Sequence, residues 1–272
     1  MEQKKVYNHK KITSDYVARD YLDKAEKSII ENLKPFLKDM SMLDMGVGAG
    51  RTTKYFLPIV NCYIGADYAP NMIEECRRKF SKRNIFEVVD VRDMRKFADN
   101  MFDFVLFSYN GIDSFNEKSR IVALREIKRV LKNKGFFAFS THNINWEGIN
   151  DIFRFKTIYR KLIKKSGNGF LKRIFLFFKS FYLLLRLNIL NKTLIMASFI
   201  KSLQKEGHGI LADNSLNGKV RIYYSSTAYQ RKQLEESGFF NVKTFSVNGI
   251  ETCDETELNR GGWIYYLCQL KK

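Results

Sequence analysis

Between residues 41 and 141, short and almost uninterrupted apolar runs alternate with stretches of helical periodicity, and that alternation leaves few folds open. The runs are SMLDM (41–45), NCYIGA (61–66), IFEVVD (85–90), FDFVLFS (102–108) and GFFAFST (135–141). Between them a helix is expected after Gly50. Another should open at Pro70 with Ile73, Cys76 and Phe80 on one face, and another should carry Ile121, Leu124, Ile127 and Leu131. Strands that are apolar throughout are covered on both faces, which predicts a parallel sheet between two helical layers. The expected class is α/β, doubly wound.

The flanks complete this picture. Val17, Tyr21, Ala25, Ile29 and Leu33 recur every four residues, predicting a helix from Ser14 to Leu37 that ends near Pro35. A helix is expected from Thr227 to Ser237, closed by Gly238, followed by NVKTFSV and GWIYYLCQL pairing antiparallel at one end of the sheet. The prediction is a mostly parallel, seven-stranded sheet with a C-terminal antiparallel strand and a helical insert after strand five. Its expected organisation is a helical cap over 1–40, an α/β core over 41–150, an insert over 151–222, and completion of the sheet over 223–272.

The insert carries most of the charge. Formal net charge is +18, and the segment from Asp151 to Glu206 holds 13 Lys and Arg against two acids. A membrane span needs about 20 residues nearly free of charge. Here Lys172, Arg173, Lys179, Arg186 and Lys192 interrupt the apolar run, so a helical lid is expected instead. Its basic and aromatic residues suit a phosphate-bearing acceptor, an anionic membrane surface touched through 151–206, or RNA. They also suit a plain cap with an aromatic core stripe and solvated lysines. The first sixteen residues lack an apolar stretch, which gives an expected cytoplasmic location, with 151–206 peripheral to the inner membrane face. Cys62, Cys76, Cys253 and Cys268 are too widely spaced for a zinc site or a disulfide framework and are expected as small buried hydrophobes.

LDMGVGAGRTT, residues 43–53, sets Gly46, Gly48 and Gly50 at alternate positions after the first run. Glycines at a strand's carboxyl end admit a ligand close to the backbone, and the next helix offers N–H groups at its start. A dinucleotide fingerprint would place its third glycine at position 51, where this chain has Arg51. Asp44, Asp67 and Asp90 all fall at the carboxyl edge of the sheet. Each alone reads as a cap or turn residue, but the set in register suggests a nucleoside with a cationic tail.

These blocks resemble the class I S-adenosylmethionine-dependent methyltransferases. The match runs in order through LDMGVGAG (43–50), GADYAPNMIE (65–74), VVDVRDM (88–94), the run Asp99–Val105 and ALREIKRVLKNKGFFAFS (123–140). It covers about 43–142 plus the closing strands. The resemblance implies S-adenosyl-L-methionine as cofactor and no metal. Asp44, Gly46, Gly48 and Gly50 would hold its methionine part, and Asp67 its ribose. Tyr68 and Met72 would flank the adenine, Asp90 and Val91 would meet its edge, and Ser108 and Tyr109 would line the far wall. Met94-Arg95-Lys96-Phe97 departs from the family's Leu-Pro-Phe, which puts the local loop shape in question.

Methyl transfer from a sulfonium is an in-line displacement, so alignment and an available lone pair carry most of the catalysis. A hydroxyl acceptor also gains from a general base. His142, after strand five, is the candidate base or else a turn cap or substrate-orienting residue. Asp113 is the alternative base, expected to project toward the acceptor with Tyr109 and Asn110. His9 and His208 are expected in solvent, and Tyr7, Tyr16 and Tyr21 either close the other side or pack the first helix. FSYNGID and FSTHN resemble bacterial sugar or surface-glycan methyltransferases, implying a sugar hydroxyl or amine as acceptor. An RNA methyltransferase, favoured only by charge, and a cofactor-binding membrane-interface protein without turnover are the other readings.

Overall fold

The computed structural model describes residues 20–81, 85–166, 169–214, 218 and 220–272. Tyr7, His9, Tyr16 and Val17, and with them the first part of the expected cap, lie outside the described residues.

Helix α1 (Lys24–Leu37) is amphipathic, burying Ala25, Ile29, Leu33 and Leu37. Pro35 sits inside its last turn rather than ending it. The α/β alternation follows as β1 (Ser41–Met45), α2 (Thr53–Phe56), β2 (Cys62–Asp67), α3 (Pro70–Lys79), β3 (Phe86–Val88), β4 (Phe102–Phe107), α4 (Glu117–Val130) and β5 (Leu131–Asn143). The expected helix after Gly50 is a single turn, α2, and at its start Thr52 and Thr53 turn their hydroxyls inward to Asp44 and Tyr63.

The strands run in the order β3-β2-β1-β4-β5, all parallel. After α8 (Thr227–Glu236) the chain adds β8 (Phe239–Phe245), the short α9 (Glu255–Asn259) and β9 (Trp263–Leu270). Strand β9 lies antiparallel between β5 and β8, which gives the seven expected strands; the sheet has nine, because two strands from the insert extend it beyond β5. One face packs Leu124, Ile127, Phe137, Phe139 and Tyr266, and the other packs Ile29, Leu33, Phe56, Phe104 and Tyr265. Chain order reverses between β1 and β4, and the carboxyl ends of these strands diverge to leave a crevice, as open α/β sheets do.

The insert is helical only in its first part. Helices α5 (Phe155–Ser166), α6 (Phe170–Leu190) and α7 (Met196–Glu206) lead into a hairpin of β6 (His208–Leu211) and β7 (Ile222–Ser225). Four-residue strands are too short to show a period of two, which is why the expectation was helix alone. Strand β7 joins the end of β5 in parallel, with His142 opposite Tyr224 and Asn143 opposite Ser225. The insert has its own core of Ile144, Ile158, Leu162, Leu176, Leu183, Leu187, Ile200, Leu203 and Tyr224. Aliphatic side chains dominate it beside Phe153 and Tyr224, and the aromatics of α6 face outward. No helix among the described residues is long and apolar enough to cross a membrane.

Two cysteines depart from expectation. Cys76 and Cys268 are buried, but Cys62 and Cys253 are exposed. Cys62 opens β2 at its solvent end, and Cys253 lies in the loop before α9.

Candidate active site

The crevice is walled by Gly46, Gly48, Asp67, Tyr68, Met72, Ser108, Tyr109, Asn110, Gly111 and Ser114, and a connected recess reaches Asp44 and Arg51. Two of its glycines are required first by packing. A Cβ on Gly46 (φ 68°) would lie 2.6 Å from the Phe107 ring, and one on Gly111 would lie 2.2 Å from it. That ring is wedged between two bare backbones, so the ends of β1 and β4 can approach.

Two buried acids stand at the crevice. Asp44 accepts from Thr52 Oγ1 at 2.5 Å and from Tyr63 OH at 2.7 Å. Burial pushes its carboxyl up from 3.8 to about 6, against those hydrogen bonds. Asp67, the last residue of β2, accepts the Gly48 N–H at 3.0 Å on one oxygen and the Ala69 N–H at 2.8 Å on the other. Burial likewise raises it to about 6. Each carboxylate oxygen has two acceptor positions, so Asp67 can take further donors while keeping both amides.

Beneath the crevice lies an ion pair that the sequence pattern did not suggest. Arg51 donates from Nη1 to Glu26 Oε2 at 2.6 Å and from Nη2 to Glu26 Oε1 at 2.5 Å. Burial works against the guanidinium charge, but Glu26 raises the Arg51 pKa above its ordinary value. Glu26 also accepts from Ser108 Oγ and from the Asp23 amide. The Arg51 guanidinium stacks on the Tyr109 ring at 4.9 Å, with Tyr21 beyond it at 5.9 Å. The Tyr21 and Tyr109 hydroxyls are 3.4 Å apart, and Tyr21 is half exposed.

Shortly after the end of β4 come consecutive left-handed residues, Tyr109 (φ 58°) and Asn110 (φ 59°). Such a conformation costs on the order of 1–3 kcal/mol per non-glycine residue and persists only where its surroundings hold it. Here the Asn110 N–H donates to Ser140 Oγ at 2.8 Å.

His142 and Asp113, 29 positions apart in sequence, are brought into contact. His142 Nδ1 lies 2.7 Å from Asp113 Oδ2, which also accepts the His142 backbone N–H at 2.7 Å. Asp113 Oδ1 accepts from Arg120 Nη1 and Thr141 Oγ1, both at 2.6 Å. Arg120 is fully buried, bonded through Nη2 to Gln230 at 2.6 Å and stacked 4.3 Å over the Tyr223 ring. Asp113 is thus buried behind the histidine rather than projecting toward an acceptor, because four donors converge on it. The other ring nitrogen, Nε2, lies 3.4 Å from Nδ2 of Asn110, a residue of the crevice wall.

Other expectations fall differently. Val91 is buried in the core, and Asp90 pairs with Arg92 at 2.7 Å; neither belongs to the crevice wall described above. The unusual 94–97 loop is anchored by burial of Met94 and Phe97 and by Arg129 donating to both their carbonyls, at 2.8 and 2.9 Å. His208 is not simply solvated, since its ring lies 4.0 Å from that of Tyr229.

Residues 43–139 match the family model described as a methyltransferase domain. An uncharacterized protein of Methanocaldococcus jannaschii is 30% identical over 154 residues, 56% of this chain and 55% of its own length. An uncharacterized methyltransferase of Bacillus subtilis is 30% identical over 115 residues, 41% of this chain and 44% of its own. The chain spans about half the length of these curated relatives. Among solved structures, the 1,6-didemethyltoxoflavin-N1-methyltransferase of Burkholderia thailandensis, with bound 1,6-didemethyltoxoflavin and S-adenosylhomocysteine, superposes with a TM-score of 0.52. It is 12% identical, over 92% of this chain and 78% of that one, a likeness of fold.

Proposed function

We propose that the chain, whose residues 43–139 match a methyltransferase domain, is a class I S-adenosylmethionine-dependent methyltransferase and that it methylates a hydroxyl or amine of a small or carrier-linked acceptor, a sugar or glycan precursor. The observation that carries the proposal is the Asp113–His142 contact at 2.7 Å beside the crevice.

The crevice fits the cofactor on its own chemistry. Asp67 has acceptor capacity for ribose hydroxyls, Tyr68 and Met72 offer an apolar wall for adenine, and Gly46 and Gly48 present bare backbone to the methionine part. Bound S-adenosylmethionine supplies a methyl group already activated on a sulfonium.

The remaining work falls to the protein. With Nδ1 donating to Asp113, Nε2 keeps a lone pair that faces the Asn110 side-chain amide at 3.4 Å, a contact the acceptor's own proton would replace. Nε2 then takes the proton of the acceptor as its oxygen or nitrogen attacks. Asp113 holds the ring, and Arg120 holds Asp113. The insert, with 13 basic residues against two acids from Asp151 to Glu206, suits an acceptor carried on phosphate. Incubating cell extract with isotopically labelled methyl donor, then identifying the labelled product by mass spectrometry, tests the acceptor class. A labelled nucleic acid, or no transfer at all, would overturn it.

Two results are expected for Asp67. Asp67→Ala should weaken cofactor binding, measured calorimetrically, by about 10–100-fold, the range for hydrogen bonds to a charged group. Unchanged affinity would remove Asp67 from the site. The second concerns pH. The folded-state value of about 6 exceeds the ordinary 3.8, so this group's contribution to stability falls as pH rises from about 4 through 6. Ribose donors favour the carboxylate, so cofactor affinity should weaken as pH falls through 6, and Asp67→Asn should flatten that dependence. A flat wild-type profile would mean that the ribose does not meet Asp67.

A further inference from the structure

Helix α6 is apolar on the side away from the protein. Its buried stripe, Leu176, Ser180, Leu183 and Leu187, follows i, i+4, i+7, i+11 and packs into the insert core. On the opposite face Ile174, Phe178, Phe181 and Leu185 repeat that spacing and are 43%, 65%, 62% and 52% exposed. Leu171, Tyr182 and Ile189 widen this face, and Leu194 and Ile195 extend it past the helix end. Isolated exposed apolar residues are ordinary, but a contiguous face of this extent marks an interaction surface.

The charges around that face select its occupant. Lys179 and Arg186, seven residues apart, flank the outer face beside the buried stripe, and Lys172 and Arg173 stand at the helix start. No acidic residue lies between Asp151 and Glu206. A second copy of the chain would bring two acid-free faces together. An anionic bilayer complements both features at once: apolar side chains enter the boundary between headgroups and acyl chains, and flanking Lys and Arg meet the lipid phosphates.

We propose that α6 docks the protein onto an anionic membrane surface, lying parallel to it with Ile174, Phe178, Phe181 and Leu185 in the interface. The inference does not depend on which acceptor is methylated.

The test is flotation of the full chain with phosphatidylcholine vesicles, with and without phosphatidylglycerol. Binding is expected only with the anionic lipid and should weaken as salt is raised. The exposed double variant Phe178→Ser, Phe181→Ser should lose at least tenfold in vesicle partitioning. The pair Lys179→Glu, Arg186→Glu should abolish the preference for anionic lipid. Both should keep the wild-type circular dichroism and cofactor affinity, so a lost membrane contact and a failed methyltransferase reading are told apart. Absence of flotation, equal binding to neutral vesicles, or a dimer in solution that the Phe double variant disrupts would each overturn the proposal.

Discussion

His142→Ala should lower turnover by about 10²–10⁴-fold, the usual contribution of a positioned general base, while cofactor affinity stays at its wild-type level. The separation of the two effects is the informative part. Nε2 is 3.4 Å from the side chain of Asn110 in the crevice wall, and the Asp67 end of the crevice is formed by other elements. Asp113→Asn should reduce turnover as well, because an amide can present its NH2 to Nδ1 and favour the wrong tautomer. It should also destabilise the fold, since Arg120 would lose its carboxylate partner in full burial. Single-turnover transfer of labelled methyl, with calorimetry of the cofactor alone, checks both. Near-normal turnover in His142→Ala would assign proton removal elsewhere.

Glu26→Ala should destabilise the domain by about 3–5 kcal/mol, measured by urea denaturation. Nearly all of that cost comes from the group left behind. Arg51 would remain in a mostly buried site, with its bidentate partner gone and, among the described residues, the Tyr21 carbonyl (2.8 Å) and a long contact to Ser108 (3.4 Å) as its remaining hydrogen-bond acceptors. Because Arg51 supports the Tyr109 ring, cofactor affinity should fall too. Arg51→Met with Glu26→Leu should recover much of the stability, since an apolar pair leaves no orphaned charge. A loss below about 1 kcal/mol for Glu26→Ala would place the pair in the class of surface ion pairs.

What the sequence made legible was whatever acts over short distances along the chain. Apolar runs spaced by helical periodicity yielded the sheet and its antiparallel closing strand. The glycines and Asp67 stood out because the need for bare backbone and a strand-end acid is local. His142 and Asp113 were each visible, but their contact was not: a separation of 29 residues is closed only by the pairing of β5 with its neighbours. Glu26 was hidden for a different reason. It occupies the third position of α1, where an acid reads as a cap, and it does accept the Asp23 amide at 2.7 Å while holding Arg51 with the same carboxylate. Arg51 read as a glycine missing from a different motif, whereas its side chain turns down onto α1. The aromatics of α6 stayed open between a core stripe and an outward surface, since periodicity gives a stripe but does not say which of two apolar stripes faces inward.

The backbone ladder between β5 and β7 limits how the insert can be exchanged. Tyr224 lies opposite His142, with ring centroids 5.0 Å apart, so the last strand of the insert flanks the proposed base. A chimaera that swaps only the three helices would keep that flank and inherit the parent's geometry around the imidazole. One that carries the exchange through residue 225 would replace it. Reprogramming which acceptor is taken therefore calls for transplanting the hairpin together with the helices that precede it.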